Sequence, residues 1–288
     1  MKDTVTTRLD HVQRQSIGES GFQHCFISHS EITEMQERQR MVLKEHQKMH
    51  IIKRWITMKD LYDNIWTKYR KRLHIFTFTS FDETKWFVDF VYAKSPCNIV
   101  TLGIGQDVVA ESTLSQRYPQ CHFLGADPDG EANKAIFLSV PNSRYVEAAV
   151  AGKSGTYSGS FLQRNITIER IYKPKSRYHM GFADFLKKYN QGQLIDLLLM
   201  DNEGGEYGIF DVMNENHEEL PIICQINVEI HIVTDFNISF DKFFASFDRF
   251  ILSSKYTVLR VETGGTAHAQ KVFFMNVADQ ACIQKFLC

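Results

Sequence analysis

The sequence predicts an α/β fold, a mostly parallel sheet covered by helices on both faces and preceded by a helical extension. Three observations carry this. Near-continuous apolar segments recur from Asn98 onward and alternate with helical patterns, as strands buried on both faces require. Glycines and acids gather where those segments end. No Gly or Pro occurs between Phe22 and Ser95, which favours helix there.

The elements follow in order. Residues 1–30 are polar and read as a mobile tail, 31–95 as a helical extension, and 96–288 as the main domain. Ser28-x-x-Glu31 and Ser80-x-x-Glu83 have the capping-box pattern. Between them Ile52, Trp55, Ile56, Tyr62, Ile65, Trp66, Tyr69 and Leu73 recur at near-helical spacing. The stretch 31–72 holds eleven Lys/Arg against six Asp/Glu, so its solvated face could contact an anionic surface. After Pro96, Asn98–Ile104 reads as a strand, about 107–117 as a helix, His122–Ala126 as a strand, about 130–139 as a helix, and Tyr145–Val150 as a third strand. The Gly/Ser- and Tyr/Lys-containing segment 152–178 reads as an inserted loop, with Tyr157, Tyr172 and Tyr178 as lid candidates. Phe182–Tyr189 reads as a helix, and Ile195–Met200 and Ile222–Ile230 as buried strands. Phe240, Phe243, Phe244, Phe247, Phe250 and Ile251 form a helical aromatic stripe that belongs in a core. Tyr256–Val261 and Lys271–Val277 close the chain as a strand pair, which places an antiparallel edge on the sheet.

Composition excludes several classes. Lys+Arg is 33 against Asp+Glu 34, so the chain is neither a globally basic nucleic-acid binder nor a highly acidic one. With 43% hydrophobic and 23% charged residues, wholesale disorder is excluded. The longest apolar run, Ile195–Met200 with Asp196 inside it, is far too short to span a membrane. The polar first 30 residues contain no apolar leader, which favours a cytoplasmic location. Six cysteines contain no C-x-x-C pair and read as reduced, mostly buried thiols, although Cys97 and Cys121 stand at strand starts and could be neighbours. The sequons Asn165-Ile166-Thr167 and Asn237-Ile238-Ser239 would matter only in a secretory context.

Four motifs carry chemistry. Gly103-Ile104-Gly105 ends the first strand, where glycine lets the backbone approach a ligand closely. The third glycine of a dinucleotide fingerprint is Val108, which argues against a nicotinamide-dependent oxidoreductase. Asp127, 24 residues after Gly103 at the end of the second strand, is placed to accept hydrogen bonds from ribose hydroxyls. Asp201-Asn202-Glu203-Gly204-Gly205-Glu206 puts three carboxylates at the mouth of a buried strand, where each needs a donor or cation. On Asn227-Val228-Glu229-Ile230-His231, strand alternation puts Asn227, Glu229 and His231 on one side. If that strand neighbours Asp201, His231 can serve as general base, oriented by Glu229 or Glu203. A metal site from the same residues depends on the same adjacency, and the reading adopted is metal-free.

In this order the motifs resemble the FkbM-type methyltransferases, a branch of the class I S-adenosyl-L-methionine-dependent enzymes. The resemblance covers roughly 97–277. It rests on Asp201-x-Glu203-Gly-x-Glu206, on Ala149-Val150 with the Gly that follows, on Glu229-x-His231 and on Asp127-Pro128. A nematode-like subgroup carries similar T-L-G-I-G, A-D-P and D-N-E-G-x-E-Y segments. The resemblance implies a Rossmann-like, seven-stranded sheet with its last strand antiparallel, and O-methylation of a hydroxyl on a sugar or small polar metabolite. It implies that Thr101, Gly103, Gly105, Asp127, Ala149 and Asp201 bind S-adenosyl-L-methionine. Asp201, Glu203, Glu229 and His231 would carry catalysis and Glu206 would face substrate. Two departures stand out. The acid usual two residues before the first glycine is Thr101, and a later glycine is Asp107. They motivate the alternative of a catalytically silent cofactor-binding or scaffold protein on the same fold. No nucleic-acid partner is expected, since the N-P-P-Y-type motif of many base methylases is missing.

Overall fold

A computed structural model describes residues 25–80, 84–164, 170–215, 218–236, 238–253, 255–264 and 268–288, without the side chains of 158–176 and 236. Two helices come first, α1 (His29–Gln47) and α2 (Ile51–Tyr62), then a hairpin, β1 (Ile75–Thr79) and β2 (Thr84–Val88). The alternating units follow as β3 (Cys97–Leu102), α3 (Val109–Arg117), β4 (Cys121–Asp127), α4 (Gly130–Leu138) and β5 (Ser143–Glu147). Next are β6 (Ala149–Ala151), β7 (Gly155–Arg164), β8 (Arg170–Gly181) and α5 (Phe182–Phe185), which a π-turn extends to Asn190. The chain continues through β9 (Leu197–Met200), α6 (Glu206–Glu215), β10 (Gln225–His231), α7 (Phe240–Leu252), β11 (Tyr256–Thr263), β12 (Ala269–Asn276) and α8 (Gln280–Phe286).

The central sheet has seven strands in the order β11-β12-β10-β9-β3-β4-β5, and its last strand, β12, runs antiparallel to both neighbours. This is the Rossmann-like α/β class that the sequence predicts. The chain runs outward from β3 through β4 to β5, then returns to β9 on the other side of β3, so the order reverses between β3 and β9. Ligands of open α/β sheets bind at such a reversal, outside the strands' C-terminal ends. β9 is buried along its whole length, which explains its uninterrupted apolar sequence. The aromatic stripe of α7 is core: Phe247 and Phe250 pack on Phe210 of α6 and on Phe274 of β12.

The amino-terminal region differs from the helical extension expected over 31–95. The capping box at Ser28 is present and starts α1. Residues 81–83 of the second capping-box pattern lie outside the described residues; Thr84–Val88 form a strand that pairs with Ile75–Thr79. Asn227 holds that strand to β10: the Trp86 amide donates to its Oδ1 at 2.8 Å, and its Nδ2 donates to the Trp86 carbonyl at 2.6 Å. Gln225 treats Val88 the same way. Two side-chain amides therefore stand in for a backbone ladder.

The helices cover the edge strand β11, whose free backbone groups would otherwise invite pairing. Gln39 of α1 donates to the Tyr256 carbonyl and accepts from the Val258 amide, and Asp63 accepts from the Val261 amide. Of the basic residues in 31–72, Lys48, Arg54, Lys68, Arg70 and Arg72 each pair with a carboxylate, which reduces the free positive face the composition implies.

Three further expectations change. The described part of 152–178 is mostly strand: β7 and β8 pair antiparallel, and β8 adds β6 to make a second, three-stranded sheet. Within the expected mobile tail, residues 1–24 lie outside the described residues, but Cys25–Ser30 are tied down; Ile27 is buried and the Phe26 amide donates to the Leu287 carbonyl. The cysteines are not reduced thiols. All six pair, as Cys25–Cys288, Cys97–Cys121 and Cys224–Cys282. Cys97 and Cys121 face each other at the first register position of parallel strands β3 and β4, close enough to bond.

Candidate active site

The site forms where β3, β4, β9 and β10 end. Gly103 leaves β3 with a φ of +79°, and a Cβ there would sit 1.7 Å from the Asp201 carbonyl oxygen. The first glycine is thus required by the chain's own crossing at the β3–β9 reversal. Gly105, at φ +59°, would place a Cβ in open space, so it is the glycine that borders room for a ligand. Asp127 ends β4 and binds this turn: its carboxylate accepts the Ile104 amide at 2.9 Å and the Asp129 amide at 2.8 Å. Burial pushes its pKa up while those amides pull it down. The Asn133 side chain and the Gly105 amide pull it down as well, so the carboxylate is committed mainly to holding the turn.

Thr101 is buried and donates its hydroxyl to Glu111 Oε1 at 2.6 Å. Glu111, from α3, has no exposed surface, its Oε2 lacks a hydrogen-bond partner, and burial pushes its pKa up. An acid therefore does reach this position, from a helix ten residues on. Spacing alone gave no signal for it. Asp107 turns its carboxylate back onto its own helix, accepting the Val109 amide. Ala149 lies in β6, whose Val150 carbonyl accepts Asn202 Nδ2 at 3.0 Å and so fixes the acidic loop to the second sheet.

β9 and β10 are parallel neighbours, so the adjacency on which the cluster depends exists. His231 Nδ1 lies 3.0 Å from Glu206 Oε1, and its Nε2 lies 3.5 Å from Asp201 Oδ1 and 3.4 Å from Glu203 Oε2. Glu206 also accepts the amides of His231 and Gly204, while the Tyr207 hydroxyl donates to the His231 carbonyl. Burial opposes charge on His231, but Glu206, Asp201 and Glu203 hold its pKa up to about 11. The geometry bears on three expected roles. The three carboxylates favour the charged imidazole over a free general base. Glu206 has no exposed surface and is turned to the His231 imidazole. Glu229 lies 3.8 Å from Lys271 Nζ and lines a small recess with Lys85 and Asp201.

Beyond Glu203 a cleft of about 480 Å³ opens, lined by Lys153, Tyr157, His179, Tyr207 and Lys242 among others. Tyr157 stands edge-on to His179 within it. Tyr178 is exposed and the Tyr172 side chain lies outside the described residues.

The sequence profile of the Methyltransferase FkbM domain matches residues 67–258. No curated protein matches the chain. Among solved structures, Aeropyrum pernix fibrillarin in complex with S-adenosyl-L-methionine is 12% identical over 64% of this chain and 68% of that one, with a TM-score of 0.36. Methanococcus jannaschii fibrillarin, a pre-rRNA processing protein, is 7% identical over 72% and 84%, with a TM-score of 0.39. Precorrin-6y C5,15-methyltransferase from Geobacter metallireducens is 11% identical over 62% and 78%, with a TM-score of 0.34.

Proposed function

The chain belongs to the FkbM methyltransferase family, and from that premise we propose that it methylates a hydroxyl oxygen of a sugar or other small polar metabolite, using S-adenosyl-L-methionine. The observation that carries this reading is the pairing of two half-sites across the β3–β9 reversal. On one side the Gly105 turn, anchored by Asp127, borders open space; on the other, Asp201 and Glu203 stand beside His231.

The residues fit the cofactor. Asp127 holds the glycine turn at the place the ribose would take, and Gly105 leaves the room a side chain would fill. Ala149 and Asp201 would complete its binding, and the buried Thr101–Glu111 pair takes the place of the missing strand acid. When bound, the cofactor supplies a sulfonium methyl, an electrophile that needs no further activation. The chain supplies position and proton handling. Holding the acceptor oxygen in line can lower a barrier by roughly 7–11 kcal/mol. Asp201 and Glu203 accept the hydroxyl's hydrogen bond and take up the proton it sheds, while His231 holds both carboxylates in place. The cleft beyond Glu203 offers tyrosine faces and charges of both signs, which suits a polyhydroxyl acceptor better than an apolar one.

Three disulfides also support an oxidising compartment over the cytoplasm as the working environment. Among the described residues no helix is long and apolar enough to cross a membrane.

Calorimetric titration with S-adenosyl-L-methionine and S-adenosyl-L-homocysteine tests the reading. Micromolar binding is expected, weakened at least tenfold in Asp127→Ala, followed by transfer of labelled methyl to hydroxylated acceptors. Folded protein that binds neither compound would favour the silent scaffold.

A further inference from the structure

We propose that Asp201, Glu203 and His231 form a site for one divalent transition-metal cation on the acceptor side of the transfer site. Its geometry stands on its own, whereas its role in catalysis rests on the methyltransferase reading above. One ligand atom from each residue lies within 4.8 Å of the others, a separation that a single ion can bridge with small side-chain movements. The three residues come from the C-terminal ends of adjacent parallel strands, β9 and β10, and from the turn that follows β9, so the sheet sets their spacing.

The surroundings of the imidazole point the same way. A histidine that binds a metal through one nitrogen commonly gives its other N–H to a carboxylate, which fixes the ring and raises its basicity. Glu206 occupies that place. It is fully buried, it meets His231 Nδ1 at 3.0 Å, and the amides of Gly204 and His231 lock it. Nε2 is then the nitrogen presented to Asp201 and Glu203.

Access and donor type define the ion. The side chains of His231, Asp201 and Glu203 retain 17%, 22% and 28% of their exposure, so an ion can enter from solvent and keep positions open. One imidazole and two carboxylates suit Mn²⁺ or Zn²⁺ rather than the thiolate-seeking Cu⁺. The cleft that begins at Glu203 brings an acceptor hydroxyl to those open positions. There the cation would withdraw charge from the hydroxyl oxygen, whose proton passes to the Glu203 oxygen that does not bind the ion and then to water, while the hydroxyl oxygen keeps the electron pair for attack. This departs from the metal-free reading of the sequence.

The test uses the full chain after EDTA treatment and dialysis, titrated with MnCl₂ and with ZnCl₂ by calorimetry. For Mn²⁺, loss of the free-ion resonance signal gives a second readout. One ion per chain is expected, bound at least tenfold more weakly by Glu203→Gln and by His231→Gln. Both variants are checked for folding by circular dichroism, and Glu203 is the more exposed position should His231→Gln fail to fold. S-adenosyl-L-homocysteine affinity is measured in parallel. Homocysteine-analogue binding without metal binding would overturn the metal site and leave the methyltransferase reading standing. Metal binding without analogue binding would do the reverse. Equal metal affinity in wild type and variants would also overturn the site.

Discussion

Glu206 Oε1 lies 3.0 Å from His231 Nδ1, and the two residues occupy different elements, the start of α6 and the end of β10. The same oxygen accepts the His231 amide, and the other accepts the Gly204 amide. One buried carboxylate thus sets the imidazole, the strand end and the glycine turn together. Hydrogen bonds to a charged acceptor are roughly twice as strong as neutral ones, which explains why a fully buried acid is tolerated.

Glu206→Gln keeps the shape but gives only one acceptor oxygen for two directions. We expect turnover to fall about 10–100-fold, the range seen when an outer-shell partner of a functional histidine is lost. S-adenosyl-L-methionine affinity should stay within about threefold, because the residue lies away from the Gly105 turn and Asp127. Equal losses in kcat and in cofactor affinity would mean that Glu206 merely holds the fold.

The two glycines after β3 separate packing from ligand space. Gly103→Ala forces a Cβ against the Asp201 carbonyl and strains a left-handed backbone, whereas Gly105→Ala strains the backbone only. A left-handed non-glycine residue costs about 1–2 kcal/mol, and overpacking adds about 1–3 kcal/mol. Chemical denaturation should therefore show the larger loss for Gly103→Ala. Gly105→Ala should lose cofactor affinity with a small change in stability. The opposite ranking would misplace the ligand.

The sheet was legible because burial on both faces writes itself as apolar runs, as Leu197–Met200 does. The long hairpin was not. Its Gly, Ser, Tyr and Lys content reads as loop, and what makes it strand is pairing such as Tyr157 with Arg177, between residues twenty positions apart. Thr84–Val88 follows a helix-start pattern in the sequence, yet Asn227 and Gln225 hold Trp86 and Val88 as strand, a tertiary contact that local pattern does not carry. Cys97 and Cys121 were readable as neighbours from their places at strand starts, whereas Cys25 and Cys288 are 263 residues apart and share no local signal. Alternation grouped Glu229 with His231, but it could not show that Lys271 stands across from Glu229 on β12.

Asp196 gives a pH dependence away from the site. It is 1% exposed, its Oδ1 meets Lys285 Nζ at 2.5 Å and its Oδ2 accepts the Asn98 amide at 2.8 Å. Burial outweighs both partners and pushes its pKa from 3.8 up to about 6. The folded state therefore holds this proton more tightly than the unfolded chain. The resulting stabilisation is fully present below about pH 4 and is lost as pH rises through about 6. Asp196→Asn stays neutral throughout, so wild type should lose up to about 3 kcal/mol of stability relative to the variant between pH 4 and pH 7. A gap independent of pH, measured by urea unfolding, would remove Asp196 as the cause.

The Cys97–Cys121 bond joins the starts of β3 and β4, the strands that carry the Gly103 turn and Asp127. It closes a segment of 24 residues, so chain-entropy arguments give it about 3 kcal/mol. Replacing both residues by serine should cost that amount in denaturant unfolding. It should also loosen the register on which the Ile104–Asp127 contact depends, and so weaken cofactor binding. Thiol titration of the unfolded, unreduced protein should find no free cysteine, because all six are paired. Six titratable thiols in protein recovered from an oxidising compartment would refute the pairing, and with it the argument for where the protein works.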